Sequence, residues 1–151
     1  MQVSIRNANN SDAAAIVELV KELAGSMGEE SPLIEAYVAT YLGSTSNTIL
    51  LAEVQEGILG LLSYSLRPNL YHSGDICLIE ELIVAEKARG RGIGTSLLGE
   101  LLSRMVLKDI KEISISTLPD NHKAIEFYRK HGFKEEGVLL EIHPVKKEQS
   151  P

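Results

Sequence analysis

Apolar side chains fall on both parities of the stretch ICLIEELIV, Ile76 to Val84, the pattern of a strand covered on both faces. Around it, segments of strand period and helix period alternate. VSIRNA, Val3 to Ala8, alternates apolar and polar residues and predicts a short strand. NNSDAAAIVELVKELAG predicts a helix with Ser11 or Asp12 as cap, Ile16, Leu19, Val20 and Leu23 as its apolar stripe, and Gly25 as its stop. After SMGEESP, the segment LIEAYVATYLG predicts a second helix ending at Gly43. NTILLAEV and GILGLLSYSL read as strands joined by a hairpin at QEG, followed by a polar loop, RPNLYHSGD. Beyond Val84 come a glycine loop, a helix from about Ile93 to Val106, a strand in KEISISTL and a helix in NHKAIEFYRKHG closed by Gly132. FKEEGVLLEIHP reads as a strand or hairpin, and VKKEQSP as a frayed tail. There is no internal repeat and no linker, so the expectation is one α/β domain over residues 1–143 with a flexible tail at 144–151.

Composition narrows the function classes. The chain has 151 residues, 44% hydrophobic and 24% charged, enough to bury a core and too apolar for a disordered chain. A net charge of −6 argues against general binding to nucleic acid or anionic membranes, so an anion site has to be a local basic spot. Lys87, Arg89 and Arg91 make one. The N-terminal MQVSIRNANNSD lacks the apolar core of a signal peptide, and no apolar run approaches the ~20 residues of a membrane span. A cytoplasmic location is the simplest expectation. The single cysteine, Cys77, excludes an intrachain disulfide and is expected in the core. His72, His122, His131 and His143 are dispersed, so no metal site is expected.

The informative stretch is VAEKARGRGIGTSLL, Val84 to Leu98. Strand, short glycine loop and helix together present free backbone N–H groups, with the positive end of the helix dipole, to a phosphate. Gly90, Gly92 and Gly94 remove side chains from the approach, and Thr95 adds a hydroxyl at the helix start. A P-loop needs a lysine after its last glycine, which is absent here. A dinucleotide fingerprint needs G-x-G-x-x-G, whereas this loop reads G-x-G-x-G. ATP and nicotinamide readings are therefore weak.

RGRGIG fits R-x-x-G-x-G through Arg89, Gly92 and Gly94, and resembles the acyl-CoA loop of the GNAT N-acetyltransferases. Downstream, NHKAIEFYRKHGF resembles that family's N-x-x-A-x-x-F-Y-x-x-x-G-F element, in the right order and one strand away. The resemblance implies a mixed, mostly antiparallel central sheet flanked by helices and splayed at its central strand. It implies acetyl-CoA as cosubstrate, with its pyrophosphate on the N–H groups of Arg91, Gly92, Ile93, Gly94 and Thr95, next to Arg89 and Gly90. Leu82, Ile83 and Val84 would pair with the pantetheine arm, Asn121 and Ala124 would line its other side, and an N–H near Ile83 would polarise the acetyl carbonyl.

Acetyl transfer to an amine needs a base, an oxyanion donor and a proton for the departing thiolate. Glu80 and Glu81 are the candidate bases, expected on opposite faces of their strand; Glu80 comes first because it matches the base position of relatives resembling polyamine acetyltransferases, and Glu81 is the runner-up. Tyr128 occupies the family position of a phenol beside the cofactor sulfur and would be the general acid. A primary amine is the expected acceptor, which Glu29, Glu30, Glu35 and Asp75 would favour if cationic. The NLYHSGD loop also looks somewhat like that of aminoalkylphosphonate acetyltransferases, whose carboxylate two residues before Glu80 is Leu78 here. The resemblance admits a homodimer. The alternative from another class is a non-catalytic acyl-CoA-binding sensor or assembly module.

Overall fold

A computed structural model describes residues 2–147. The chain divides between Ile115 and Ser116 into two compact units. The first is built on a five-stranded sheet in sequential order: β1 (Ser4–Asn7), β2 (Asn47–Val54), β3 (Gly57–Asn69), β4 (Gly74–Val84) and β5 (Ile113–Ile115). The first three pairings are antiparallel and β4–β5 is parallel. The helices are α1 (Ala13–Ser26), α2 (Glu35–Leu42) and α3 (Ile93–Leu107). This is the mixed, mostly antiparallel α/β architecture expected.

The sheet is covered on both faces, which is why Leu50, Leu51, Ala52, Leu61 and Leu62 run without polar interruption. Alternate residues of β3 face opposite helices. Leu61 looks toward α1 and α2, while Gly60 lies under α3. A Cβ on Gly60 would sit 2.7 Å from Ile93 Cγ2 and 3.0 Å from Leu97 Cδ1. The missing side chain thus lets α3 seat closely on the sheet. Leu97, Leu98, Leu101 and Met105 of α3 are fully buried, as the helix period required.

Several boundaries differ from the sequence reading. Asp12 stands at the N-cap position of α1, one of the two expected, but its side chain makes no capping bond there; Asn9 accepts from Ser11 N–H and caps a one-turn 3-10 helix (Asn10–Asp12) ahead of α1. The Asp12 carboxylate turns back to Asn9 N–H at 2.9 Å and to Arg6. Helix α1 runs past Gly25, and Gly28, at φ +71°, makes the turn instead. RPNLYHSGD is mostly strand: Arg67, Pro68 and Asn69 pair with Ile76, Asp75 and Gly74. Pro68 fits because Leu66 N–H turns to Ser46 C=O on the β2 side, so the next residue of that parity lies beyond the start of β2 and needs no donor.

In KEISISTL only Ile113–Ile115 form a strand, paired with Cys77, Leu78 and Ile79. That ladder stops where β4 bulges. The second unit contains α4 (His122–Lys130), closed by Gly132 at φ +95°. The strand or hairpin expected in FKEEGVLLEIHP does not form: among the described residues of that unit there is no other strand for its backbone to pair with. Of the expected tail at 144–151, residues 148–151 lie outside the described residues.

Candidate active site

The central irregularity of the sheet falls on the two glutamates. Ser63 pairs with Glu81 and the next residue, Tyr64, with Ile79, so Glu80 is an extra residue without a partner on β3. Such a bulge resets the alternation of side chains. The expectation that Glu80 and Glu81 lie on opposite faces is therefore wrong: both line one cavity. Glu81 N–H donates to Ser63 Oγ at 3.1 Å, and the Ser63 hydroxyl in turn donates to the Glu81 carboxylate. Ser63 itself is buried, at 2% exposure. Burial pushes the Glu81 carboxyl up from its ordinary value, and the charge of Glu80 pushes it further, against the hydrogen bond from Ser63. Glu80 is exposed.

The cavity, about 280 Å³, lies between the sheet and helices α1 and α2. Its walls are aliphatic, with Ile16 and Val20 from α1, Val38 from α2, Leu33 before it, and Ile49 and Leu61 from the sheet. Tyr37 and Tyr41, one helical turn apart, also face it. The Tyr41 hydroxyl oxygen is buried close to the Ser63 and Glu80 side chains, and no hydrogen bond of normal geometry reaches it. Its ionisation is pushed up first by burial and then by the negative charges of Glu80 and Glu81. Neither Tyr41 nor Ser63 was found from sequence; the available signals were the Tyr37–Tyr41 spacing and a serine inside an apolar strand. Glu29, Glu30, Glu35 and Asp75, by contrast, are exposed and do not line the cavity. A wider hollow of about 560 Å³ beside the β2–β3 turn sets Glu53 and Glu56 near Arg91 and holds no buried ionisable group.

Past the bulge, β4 loses its second neighbour within this unit, because β5 pairs only with Cys77–Ile79. Ala85 N–H donates to Leu59 C=O at 2.9 Å. By the alternation of an antiparallel ladder, Ile83 also turns its polar groups to β3, and those of Leu82 and Val84 point to the open edge. The strand then enters the glycine loop through a 3-10 turn (Glu86–Ala88), whose first N–H is held by the Glu22 carboxylate of α1 at 2.5 Å.

Gly90 and Gly92 have φ of +77° and +81°, the left-handed region that other residues adopt only at a cost. A Cβ at either would meet nothing within 4 Å, so no protein atom fills the space they leave. The first backbone bond of α3 runs from Ser96 N–H to Gly92 C=O at 3.0 Å. Ile93, Gly94 and Thr95 therefore offer N–H groups ahead of the ladder, and no side chain caps them. An open cradle of uncapped donors at a positive helix end fits a pyrophosphate. Arg89 is exposed with Nε 3.4 Å from Val84 C=O, and Arg91 is held by Glu56 at 3.0 Å, so the arginines are partly engaged.

In the second unit, Asn121 Oδ1 accepts from Ala124 N–H at 3.2 Å and starts α4. Tyr128 is half-buried between Phe127 and Phe133, in edge contacts of 5.2 and 5.6 Å, and burial pushes its phenol up to about 12. It is therefore a neutral O–H at physiological pH. Cys77 is fully buried, and its thiol is pushed up to about 11, which leaves it in the core and protonated.

The acetyltransferase (GNAT) family matches residues 14–133. An uncharacterized N-acetyltransferase of Bacillus subtilis is 27% identical over 89% of this chain and 91% of its own length. An L-2,4-diaminobutyric acid acetyltransferase of Shouchella clausii is 26% identical over 79% of this chain, which spans only 62% of that relative. Among solved structures, a transcriptional regulator from Bacillus halodurans superposes with a TM-score of 0.82 at 29% identity, covering 94% of this chain and 99% of that one. A soil-metagenome aminoglycoside acetyltransferase reaches 0.83 at 18% identity, over 95% and 97%, and shares the fold. With a family match across most of its length, a bulged carboxylate strand and a glycine cradle at the head of α3, the chain belongs to the GNAT family of acetyltransferases.

Proposed function

We propose that the chain transfers an acetyl group from acetyl-CoA to a small-molecule primary amine, directly and within a ternary complex. The observation that carries this reading is the bulge at Glu80, which turns two carboxylates into one cavity just before β4 frees an edge and enters the glycine cradle. When bound, acetyl-CoA supplies a thioester whose carbonyl is attacked by the amine and whose thiolate leaves. Glu81 takes the proton that makes the acceptor nitrogen nucleophilic, directly or through water, and Glu80 is the second candidate for that role. Leu82 or Val84 offers an N–H to the developing oxyanion, while Ile83 anchors the strand to β3.

Gly90, Gly92, Ile93, Gly94 and Thr95 hold the pyrophosphate, with Arg89 and Arg91 adding positive charge. Asn121 and Ala124 line the pantetheine arm. Tyr128, which carries its phenolic proton at neutral pH, gives that proton to the departing thiolate. The buried, protonated Cys77 supports direct transfer over an acyl-enzyme. This reading takes the two units together as one catalytic domain, supported by a family match that crosses their boundary. It also takes the enzyme to be cytoplasmic and compatible with homodimer formation; no helix among the described residues is long and apolar enough to cross a membrane. The test is calorimetric titration with acetyl-CoA, NAD and ATP. Saturable binding of acetyl-CoA alone is expected, and no binding by a folded sample would overturn the assignment.

A further inference from the structure

We propose that the acceptor is a small aliphatic amine carrying one ammonium group and no carboxylate, seated with its nitrogen at Glu80, Glu81 and Tyr41 and its hydrocarbon body among Ile16, Val20, Leu33 and Val38. This rests on the acetyltransferase reading above and narrows its substrate.

The two ends of the cavity differ in chemistry. At the β4 end, two carboxylates and the hydroxyls of Ser63 and Tyr41 gather, and among the described residues no Lys, Arg or His lines the cavity. An ammonium brings donors to those carboxylates, and one of its N–H groups satisfies the buried Tyr41 oxygen that has no partner. A carboxylate on the acceptor would face Glu80 and Glu81 with no counter-cation in the lining. A second ammonium would find no further carboxylate in the lining, only the hydroxyls of Ser31 and Tyr37 among aliphatic side chains. At about 280 Å³ the cavity lies just below the ~300–1,000 Å³ that take drug-sized ligands, a size suited to a short acceptor. The proposed acceptor therefore differs from the diaminobutyrate and aminoglycosides for which two of the relatives are named.

The test measures thiol release at saturating acetyl-CoA with n-butylamine, n-hexylamine, 1,4-diaminobutane and L-2,4-diaminobutyrate. From butylamine to hexylamine, kcat/KM should rise about threefold to fourfold per methylene, the transfer value of a buried CH₂. The diamine and the amino acid should fall at least tenfold below hexylamine. Tyr41→Phe should raise the KM for hexylamine several-fold and leave the KM for acetyl-CoA unchanged, a split that a general loss of folding would not produce. Turnover of diaminobutyrate at or above the hexylamine rate, or a response flat in chain length, overturns the proposal while the acetyltransferase reading stands. Absence of acetyl-CoA binding overturns both. Should no amine turn over although acetyl-CoA binds, calorimetric titration of hexylamine into the CoA-loaded protein decides: saturable binding stronger than that of diaminobutyrate supports the proposal, and none overturns it.

Discussion

Asp12 and Glu81 are both carboxylates withdrawn from water, and the sheet treats them in opposite ways. Asp12 has a side chain 7% exposed and takes two hydrogen bonds of 2.8 Å from the Arg6 guanidinium, which also reaches Glu53 at 2.9 Å. Those bonds, chiefly, hold its carboxyl below the usual range despite burial. Glu81 has a serine hydroxyl as partner and another carboxylate as neighbour, and burial pushes it the other way. A buried acid that is paired with a cation serves the fold. One left without a cation, at the wall of a cavity, is poised to exchange a proton.

The largest effect should come from removing the unpaired acid. Glu81→Gln should lower kcat by about 10²–10⁴-fold, the usual worth of a general base, with acetyl-CoA affinity unchanged by calorimetry. The same variant should be more stable than the wild type at pH 7. A carboxyl whose folded pKa is raised favours folding below its unfolded value and loses that contribution as pH rises through the folded one. The gain in Tm should vanish near the ordinary glutamate pKa of about 4.3.

Tyr128→Phe should cost about a hundredfold in turnover, toward the low end for an acid–base group, with little change in acetyl-CoA binding. An acyl-CoA sensor would have no turnover to lose. Asp12→Ala, the mirror experiment, should cost about 3 kcal/mol in denaturant unfolding because it leaves the Arg6 cluster without its buried partner. Here the sign is reversed: the folded pKa is depressed, so the stabilisation is present above the unfolded value and is lost as pH falls through the folded one. The smallest of these effects belongs to Gly60→Ala. Its new methyl would press on Ile93 and Leu97 and cost about 1–3 kcal/mol of stability, and by shifting the start of α3 it should also weaken acetyl-CoA binding.

The glycine loop was legible in the sequence because its demand is local. Gly90 and Gly92 adopt backbone angles that few other residues tolerate, next to an amphipathic helix whose period is unmistakable. The core face of α3 and the double burial of β4 were legible for the same reason. The bulge was not. It depends on how Ser63 and Tyr64 register against residues almost a full hairpin away, and without it Glu80 and Glu81 must be read as facing apart. Tyr41 escaped notice because an aromatic residue on a helix looks like packing until the cavity opposite it is seen. The C-terminal FKEEGVLLEIHP has the composition of a strand, but a strand also needs a neighbour, and the described residues of its own unit provide none.

The most direct test is the pH dependence of kcat/KM for an accepted amine in the wild type, Glu80→Gln and Glu81→Gln. If the bulge delivers a half-buried base to the cavity, the wild type should show an acidic limb with an apparent pKa above that of an ordinary glutamate, and Glu80→Gln should keep that limb, displaced to lower pH because the charge of Glu80 no longer pushes Glu81 up. Glu81→Gln should lose that limb together with most of its rate. A Glu81→Gln profile that keeps both would contradict the account.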